Sequence, residues 1–412
     1  MSIGCRDYAE AAGSEVIDAL ERLARPLRGR RVVHVNSTRV GGGVAEILVR
    51  LVPLMKDLGL DAAWEVIEGT QEFYGVTKTF HNALQGVPAA PTERGLAVYD
   101  EVNREAARVL GPSLQDAEFV FIHDPQPAAI LRHLPDRRGH WVWRCHIDVS
   151  RPYRPVWKFL RPIVAPYEAS VYSMAAFAQP LPHPQYIIAP SIDPLSDKNR
   201  PLEESEVAAV AARHRLDPAR PVVVQVSRFD RFKDPLGVLQ AYRIARRNLP
   251  IQLVLVGGTA TDDPEGDAVL AAVREAAGDD PDVHVLLLPP DAHREINALQ
   301  RRATLVMQKS LKEGFGLTVT EALWKGKPVI GGRAGGIVLQ VVDHHTGFLV
   351  DTPEGAAFRI RYLLNRPNAV ATMAEKGRAF VRDNFLLTRH LREYLTLMLA
   401  LDSGGAEQVE VP

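Results

Sequence analysis

The sequence predicts an α/β protein made of two doubly wound, Rossmann-like domains that face each other across a cleft, and three observations carry that expectation. Short β-branched runs alternate with longer amphipathic stretches, the pattern of βαβ units around parallel sheets. Each run is followed by glycine or polar residues and then by a helix-compatible segment. At 412 residues, the chain is two to three times the usual length of a single domain, so two cores are expected.

In chain order, the first half offers the runs RRVVHVNS at 30–37, AEFVFIHD at 117–124 and HWVWRCHID at 140–148. Pro152, Pro155, Pro162 and Pro166 then mark an irregular region. The stretch IIAPSIDPLSDKNRPLEESE at 187–206, interrupted by prolines and polar residues, reads as a linker. The second half offers PVVVQVSR at 221–228, IQLVLVGG at 251–258, DVHVLLLP at 282–289, ATLVMQKS at 303–310 and KPVIGG at 327–332. The expected domains are residues 1–193 and 194–385. The last helical stretch, LLTRHLREYLTLMLALD, fits either domain, a return of 386–412 onto the first included. Ligands of such sheets bind beyond the carboxyl ends of strands, so functional residues are sought just after these runs.

Composition narrows the function. Hydrophobic residues are 46% and charged residues 24%, with no low-complexity tract, as in a soluble globular protein. Lys plus Arg is 49 against Asp plus Glu 50, a formal net charge of -1. That balance excludes the broad basic field of a nucleic-acid binder, so phosphate recognition must come from a few placed cations and backbone amides. Cys5 and Cys145 are the only cysteines, which excludes a disulfide framework or a cysteine zinc site and suits a reducing compartment. The first residues have neither a basic n-region nor an apolar h-region, and no apolar run has membrane-span length. The expected location is the cytoplasm.

The most informative segment is KEGFGLTVTEALWKGKPVIGG, residues 312–332. Gly314 and Gly316 flank Phe315 in a loop, a helix is expected from about Leu317, and Gly326 and Pro328 close it. The free N–H groups near Leu317 and Thr318 then form an anion site; an ordinary tight βα turn is the alternative. Glu313 and Glu321 lie eight positions apart, roughly 12 Å along a helix. That is too far for a retaining glycosidase pair, about 5 Å apart, so the two acids take different tasks. Glu313 is placed to reach a ligand's reacting end, and Glu321 to accept bonds from ribose hydroxyls or simply to face solvent.

VSRFDRFKDP at 226–235 puts Arg228 and Lys233 just past a strand, where together they can neutralise a diphosphate or merely be solvated. In the first half, VNSTRVGGGVAEIL at 35–48 carries Gly41, Gly42 and Gly43. It is neither a GxGxxG fingerprint nor a P-loop; three glycines suggest close approach of backbone to a ligand. His123, Asp124 and His146 follow strands and are placed to bond sugar hydroxyls or to sit as satisfied core groups. No HExxH, metal spacing or GxSxG elbow occurs.

EGFGLTVTE resembles the E-x7-E signature of the family-4 retaining glycosyltransferases of the GT-B fold, and SRFDRFK resembles that family's Arg and Lys pair on the nucleotide diphosphate. GGGVAE, RCHID and IAPSIDP fall in the expected order, so the resemblance covers nearly the whole chain. HVNSTRVGGGVAEIL, WEVIEGTQEFYGVTKTFHNALQG, FIHDPQPAAI and WRCHIDVS are similar to the trehalose-forming branch of that family. The resemblance implies transfer of glucose from a nucleoside diphosphate glucose (ADP-, UDP- or GDP-glucose) onto free glucose. It implies that Arg228 and Lys233 bind the diphosphate. Glu313 with the backbone of Gly314, Phe315, Gly316, Leu317 and Thr318 holds the donor sugar and phosphates, and Glu321 the ribose. It further implies that Gly42, Gly43, His146 and Asp124 line the reacting end, and that Lys78 and Asn82 reach the acceptor.

With no carboxylate placed as a double-displacement nucleophile, front-face transfer is expected, the leaving phosphate oxygen taking the acceptor proton. Cations and a helix end supply the countercharge, so no catalytic metal is required and magnesium is at most an assistant. Closure of the domains should exclude water. The rival readings are a sucrose-phosphate synthase-like or glycogen synthase-like transferase, and a non-catalytic nucleotide-sugar sensor. No nucleic-acid or membrane partner is expected, and the oligomeric state stays open, a homodimer included.

Overall fold

A computed structural model of the chain describes residues 3–39, 43–258 and 264–404. It divides into two units, one ending at Ser191 and taking in the residues from Leu387 onward, the other running Ile192–Leu386. The first holds β1 (Arg31–Asn36), β2 (Asp61–Val66), β3 (Phe119–His123), β4 (His140–Cys145), β5 (Ala169–Tyr172) and β6 (Gln185–Ile187). They form one parallel sheet in the order β2-β1-β3-β4-β5-β6. The second holds β7 (Val222–Val226), β8 (Gln252–Gly257), β9 (Val283–Leu287), β10 (Leu305–Gln308), β11 (Val329–Gly332) and β12 (Gly347–Val350). Its parallel order is β12-β11-β10-β7-β8-β9.

The central strands are apolar runs because helices cover both faces of a parallel sheet. Val222–Val226 and Phe119–His123 are buried at every residue. The strands without a sequence signal are β2, β5, β6 and β12. Three of these are sheet edges; β2 and β6 are partly exposed and carry polar residues, while β12 and β5 have only four residues each. The proline-marked region contains a regular helix, Arg154–Val164. Pro155 sits in its first turn, where no intrahelical N–H bond is needed, and Val156, Leu160, Ile163 and Val164 bury one face.

Residues 187–206 are not a free linker, which corrects the expectation. Ile192 donates its N–H to Phe385 O at 2.9 Å, and the side chain of the buried Asn199 bonds Asp193 O at 3.0 Å. Asn297 donates to the carbonyls of Asp197 and Arg200, each at 2.9 Å. The prolines break regular structure, yet the backbone polar groups are met, before Ile192 by Arg389 of the first unit and from Ile192 onward within the second. Among the described residues, no helix is long and apolar enough to cross a membrane.

In each unit the strand order reverses once, between β1 and β3 and between β7 and β10. The crevice beyond the carboxyl ends at such a switch point is where open α/β sheets bind ligands. The end of β8 shows how tightly the backbones pass there. A Cβ built on Gly257 would lie 1.7 Å from Ser227 O, whereas one on Gly258 meets nothing nearer than Leu288 O at 3.4 Å. Gly257→Ala should therefore destabilise the second unit by about 2 kcal/mol or more, and Gly258→Ala by far less. Equal denaturation midpoints for the two variants would refute the strand-end packing.

Candidate active site

In the second unit, the loops after β7 and β10 meet. Asp230 accepts the Phe232 N–H at 2.7 Å and opens the short turn Arg231–Lys233. Lys233 Nζ then lies 2.6 Å from Glu313 Oε1, with side-chain exposures of 17% and 8%. The second carboxylate oxygen of Glu313 accepts from Ser310 Oγ at 3.1 Å. Asp234, at φ 51, caps the helix Pro235–Arg246 by accepting Gly237 N–H at 3.1 Å. Its carboxylate also pairs with the buried Lys309. Leu311 N–H donates to Phe232 O at 2.7 Å. Two ion pairs and a backbone bond thus join the loops. Of the two predicted cations, only Lys233 enters this cluster; Arg228 is 61% exposed, with Asp230 at 3.6 Å.

The helix expected from Leu317 runs Leu317–Trp324. Gly316 precedes it at φ 82, a left-handed conformation that glycine adopts without strain. Its first N–H groups have no intrahelical acceptor and present partial positive charge. Glu321 is 7% exposed, so the solvated reading of that residue fails. Phe315 is also buried, and its carbonyl accepts from the buried Gln340.

The loop after β11 was not singled out from the sequence, although two glycine pairs, Gly331–Gly332 and Gly335–Gly336, flank Arg333 there. A Cβ on Gly335 would lie 2.0 Å from Glu313 O, and one on Gly332 2.3 Å from Ser310 O. Gly336 N–H donates to Gly314 O at 2.7 Å. This glycine loop braces the Glu313–Gly316 turn. Lys309 and Asp234 were missed too, since they lie 75 positions apart, and Ser310, three residues before Glu313, carried no motif of its own.

In the first unit, Gly41 and Gly42 lie outside the described residues. Gly43 opens the helix Gly43–Asp57, and a Cβ there would meet nothing within 4 Å, so no neighbour in the fold demands glycine. Asp124, at φ 63, accepts the His146 N–H at 2.7 Å. Burial pushes its carboxyl up to about 6, against the pull of that bond and of the Arg144 charge. His146 Nε2 shares a 3.0 Å hydrogen bond with His123 Nδ1, and His123 Nε2 shares another of 3.0 Å with His34 Nδ1. Three histidines on adjacent strands thus form a line ending at Asp124 and His146. Lys78 and Asn82 are exposed one turn apart on the helix Gln71–Leu84, whose other face is buried. Among the described residues, no hydrogen bond joins them to Asp124 or His146.

The line continues into the helix Leu387–Asp402, whose buried His390 stacks on Tyr394 at 5.2 Å, with Tyr394 in turn 5.7 Å from the His34 ring. Burial pushes the His34 imidazole down to about 3 and holds His123, His146 and His390 well below the ordinary histidine value. Because the folded values are lowered, the unfolded chain takes up protons that the native line refuses. Stability is therefore lost as pH falls from about 6.5 toward 3, by up to about 1.4 kcal/mol per pH unit for each histidine. Asp124, raised, acts oppositely between about 4 and 6. His390→Phe should remove one histidine's share of the pH slope in denaturant titrations between pH 7 and 5. An unchanged slope would show that His390 is protonated in the folded state.

Residues 34–179 match the family described as Trehalose synthase, N-terminal domain, and residues 208–380 match Glycosyl transferases group 1. The chain is 45% identical to the trehalose synthase of Pyrococcus horikoshii over 404 residues, 97% of this chain and 96% of that protein. It is 44% identical to the trehalose synthase of Rubrobacter xylanophilus over 402 residues, 96% of each. Among solved structures, trehalose-6-phosphate synthase OtsA matches with a TM-score of 0.71 at 13% identity, covering 89% of this chain and 98% of that one, a likeness of fold alone. With Lys233 and Glu313 brought together past the strand ends at the second sheet's switch point, and with relatives at this identity over nearly the whole chain, the chain belongs to the trehalose synthase family and is a glycosyltransferase of the GT-B fold.

Proposed function

We propose that the protein is a retaining glucosyltransferase that moves glucose from a nucleoside diphosphate glucose onto free glucose to form trehalose. The observation that carries this reading is the Lys233–Glu313 pair beside the N-terminus of Leu317–Trp324, in a chain whose relatives at 44–45% identity are trehalose synthases. The second unit then takes the donor. Lys233, Arg228 and the N–H groups at Leu317 and Thr318 receive the diphosphate, Glu313 and the Gly314–Gly316 turn the glucosyl group, and Glu321 the ribose. The first unit supplies the acceptor-side candidates Asp124, His146, Lys78 and Asn82, whose side chains can bond sugar hydroxyls.

The bond between the anomeric carbon and the leaving phosphate oxygen breaks as the acceptor hydroxyl bonds to the same face. The acceptor proton passes to that phosphate oxygen. Charge accumulates on the diphosphate, and groups already held in place stabilise it without reorganising. Lys233 is such a group, since Glu313 and the backbone around Phe232 set its position before any donor binds. On this reading the protein's own cations carry the charge, and magnesium is an optional assistant.

The geometry distinguishes the two cations. Arg228→Ala removes an exposed side chain, so turnover should fall by about 10²–10³-fold with an unchanged melting temperature. Lys233→Ala should lose turnover similarly and also about 1–3 kcal/mol of stability, because it strands the buried Glu313 carboxylate. Adding Glu313→Gln should recover stability without activity. Near wild-type turnover in the folded Arg228 variant would refute the diphosphate assignment. The acceptor is tested by mixing the protein with ADP-, UDP- or GDP-glucose and free glucose, which should yield a non-reducing disaccharide. Product formed only with glucose 6-phosphate, or only with a glucan primer, would exclude trehalose formation while leaving glycosyl transfer intact.

A further inference from the structure

Lys325 follows the helix Leu317–Trp324, where a cation favours the negative end of the helix dipole and is ordinarily solvated. Here it is buried, at 9% exposure. Its Nζ donates to Gln300 Oε1 at 2.7 Å, Asn199 Oδ1 at 3.1 Å and Glu321 O at 3.3 Å. Those three neutral acceptors use all the donors an ammonium has. They do not balance its charge, and a buried charge requires a counter-charge. Burial lowers the amine's hold on its proton, Arg301 and Lys198 add to that, and the Glu321 carboxylate works against it.

The same ammonium reaches both ends of the helix. Gln300, itself buried, donates to Thr318 O at 3.4 Å in the first turn. Asn199 ties Lys325 to the segment after Ile192 by donating to Asp193 O at 3.0 Å. A short helix that presents an anion site at one end and a carboxylate in its second turn is thus held from beneath by one cation. We propose that Lys325 is a positioning residue for donor recognition, locking Leu317–Trp324 to Gln300 and Asn199 and so fixing where the helix presents Glu321 to the ribose hydroxyls.

This inference rests on the assignment of Glu321 to the ribose. The experiment measures KM and kcat for the nucleoside diphosphate glucose and for its 2′-deoxy and 3′-deoxyribose counterparts, in wild type, Lys325→Met, Asn199→Ala and Glu321→Gln. Wild type should prefer the ribose donor, and Glu321→Gln should lose that preference. Lys325→Met should lose most of it, by about tenfold, through KM rather than kcat. Asn199→Ala keeps the ammonium and removes one acceptor, so it should shift the preference in the same direction by a smaller factor. That variant carries the test if Lys325→Met does not fold. A wild-type ribose preference in Lys325→Met, or in Asn199→Ala where only that variant folds, beside a lost one in Glu321→Gln overturns the role of Lys325 alone. A retained preference in Glu321→Gln overturns the ribose assignment and the inference with it.

Discussion

Two ion pairs in tandem hold the second unit's site together. Lys233 and Asp234 are consecutive residues, yet they bond to Glu313 and Lys309, which lie on another loop. The left-handed conformation at Asp234 lets the chain cap the helix Pro235–Arg246 while turning the neighbouring lysine onto Glu313. Each cation is matched by an acid, so four charged side chains are buried or nearly so without an unpaired charge. The glycine loop after β11 approaches within backbone distance of Glu313 and Gly314 and closes the third side of the arrangement. The helix Leu317–Trp324 starts directly after this turn, so the position of its N-terminus depends on this frame.

The first unit solves a related problem with neutral groups. His34, His123 and His146 share hydrogen bonds in a line and are kept uncharged by burial. They carry polar contacts from the sheet interior to Asp124 without introducing a charge. Arg144 is fully buried beside them and gives its charge to the field at Asp124. The helix Leu387–Asp402 covers this region, which makes the final helix of the chain part of the first unit's core rather than an appendage.

Much of the site was legible because parallel sheets impose order on sequence. An apolar run marks a central strand, and the residues just after it must lie at the carboxyl edge. Arg228, Lys233, Glu313, Asp124 and His146 were singled out that way, and each lies just past the end of a strand. The start of the helix at Leu317 was legible from the glycines before it, and its end from Gly326 and Pro328. The edge strands β2 and β6 were not, because they are partly exposed and lose the apolar signature, and β12, though mostly buried, has only four residues. The helix Arg154–Val164 was hidden by prolines whose cost depends on position in the helix.

Fold class, family resemblance and the strand ends that bear polar groups could all be read from the amino-acid order, because each depends on local pattern and spacing. Only the tertiary structure decided that Lys233 pairs with Glu313 while Arg228 does not, that Glu321 is buried, and that residues 187–206 are packed rather than loose. It alone brought Lys325, Gln300 and Asn199 together and joined three histidines from separate strands. The physical reason is common to all of these: burial and charge pairing depend on which loops the sheet order makes neighbours, and residues some 20 to 126 positions apart carry no local mark of that adjacency.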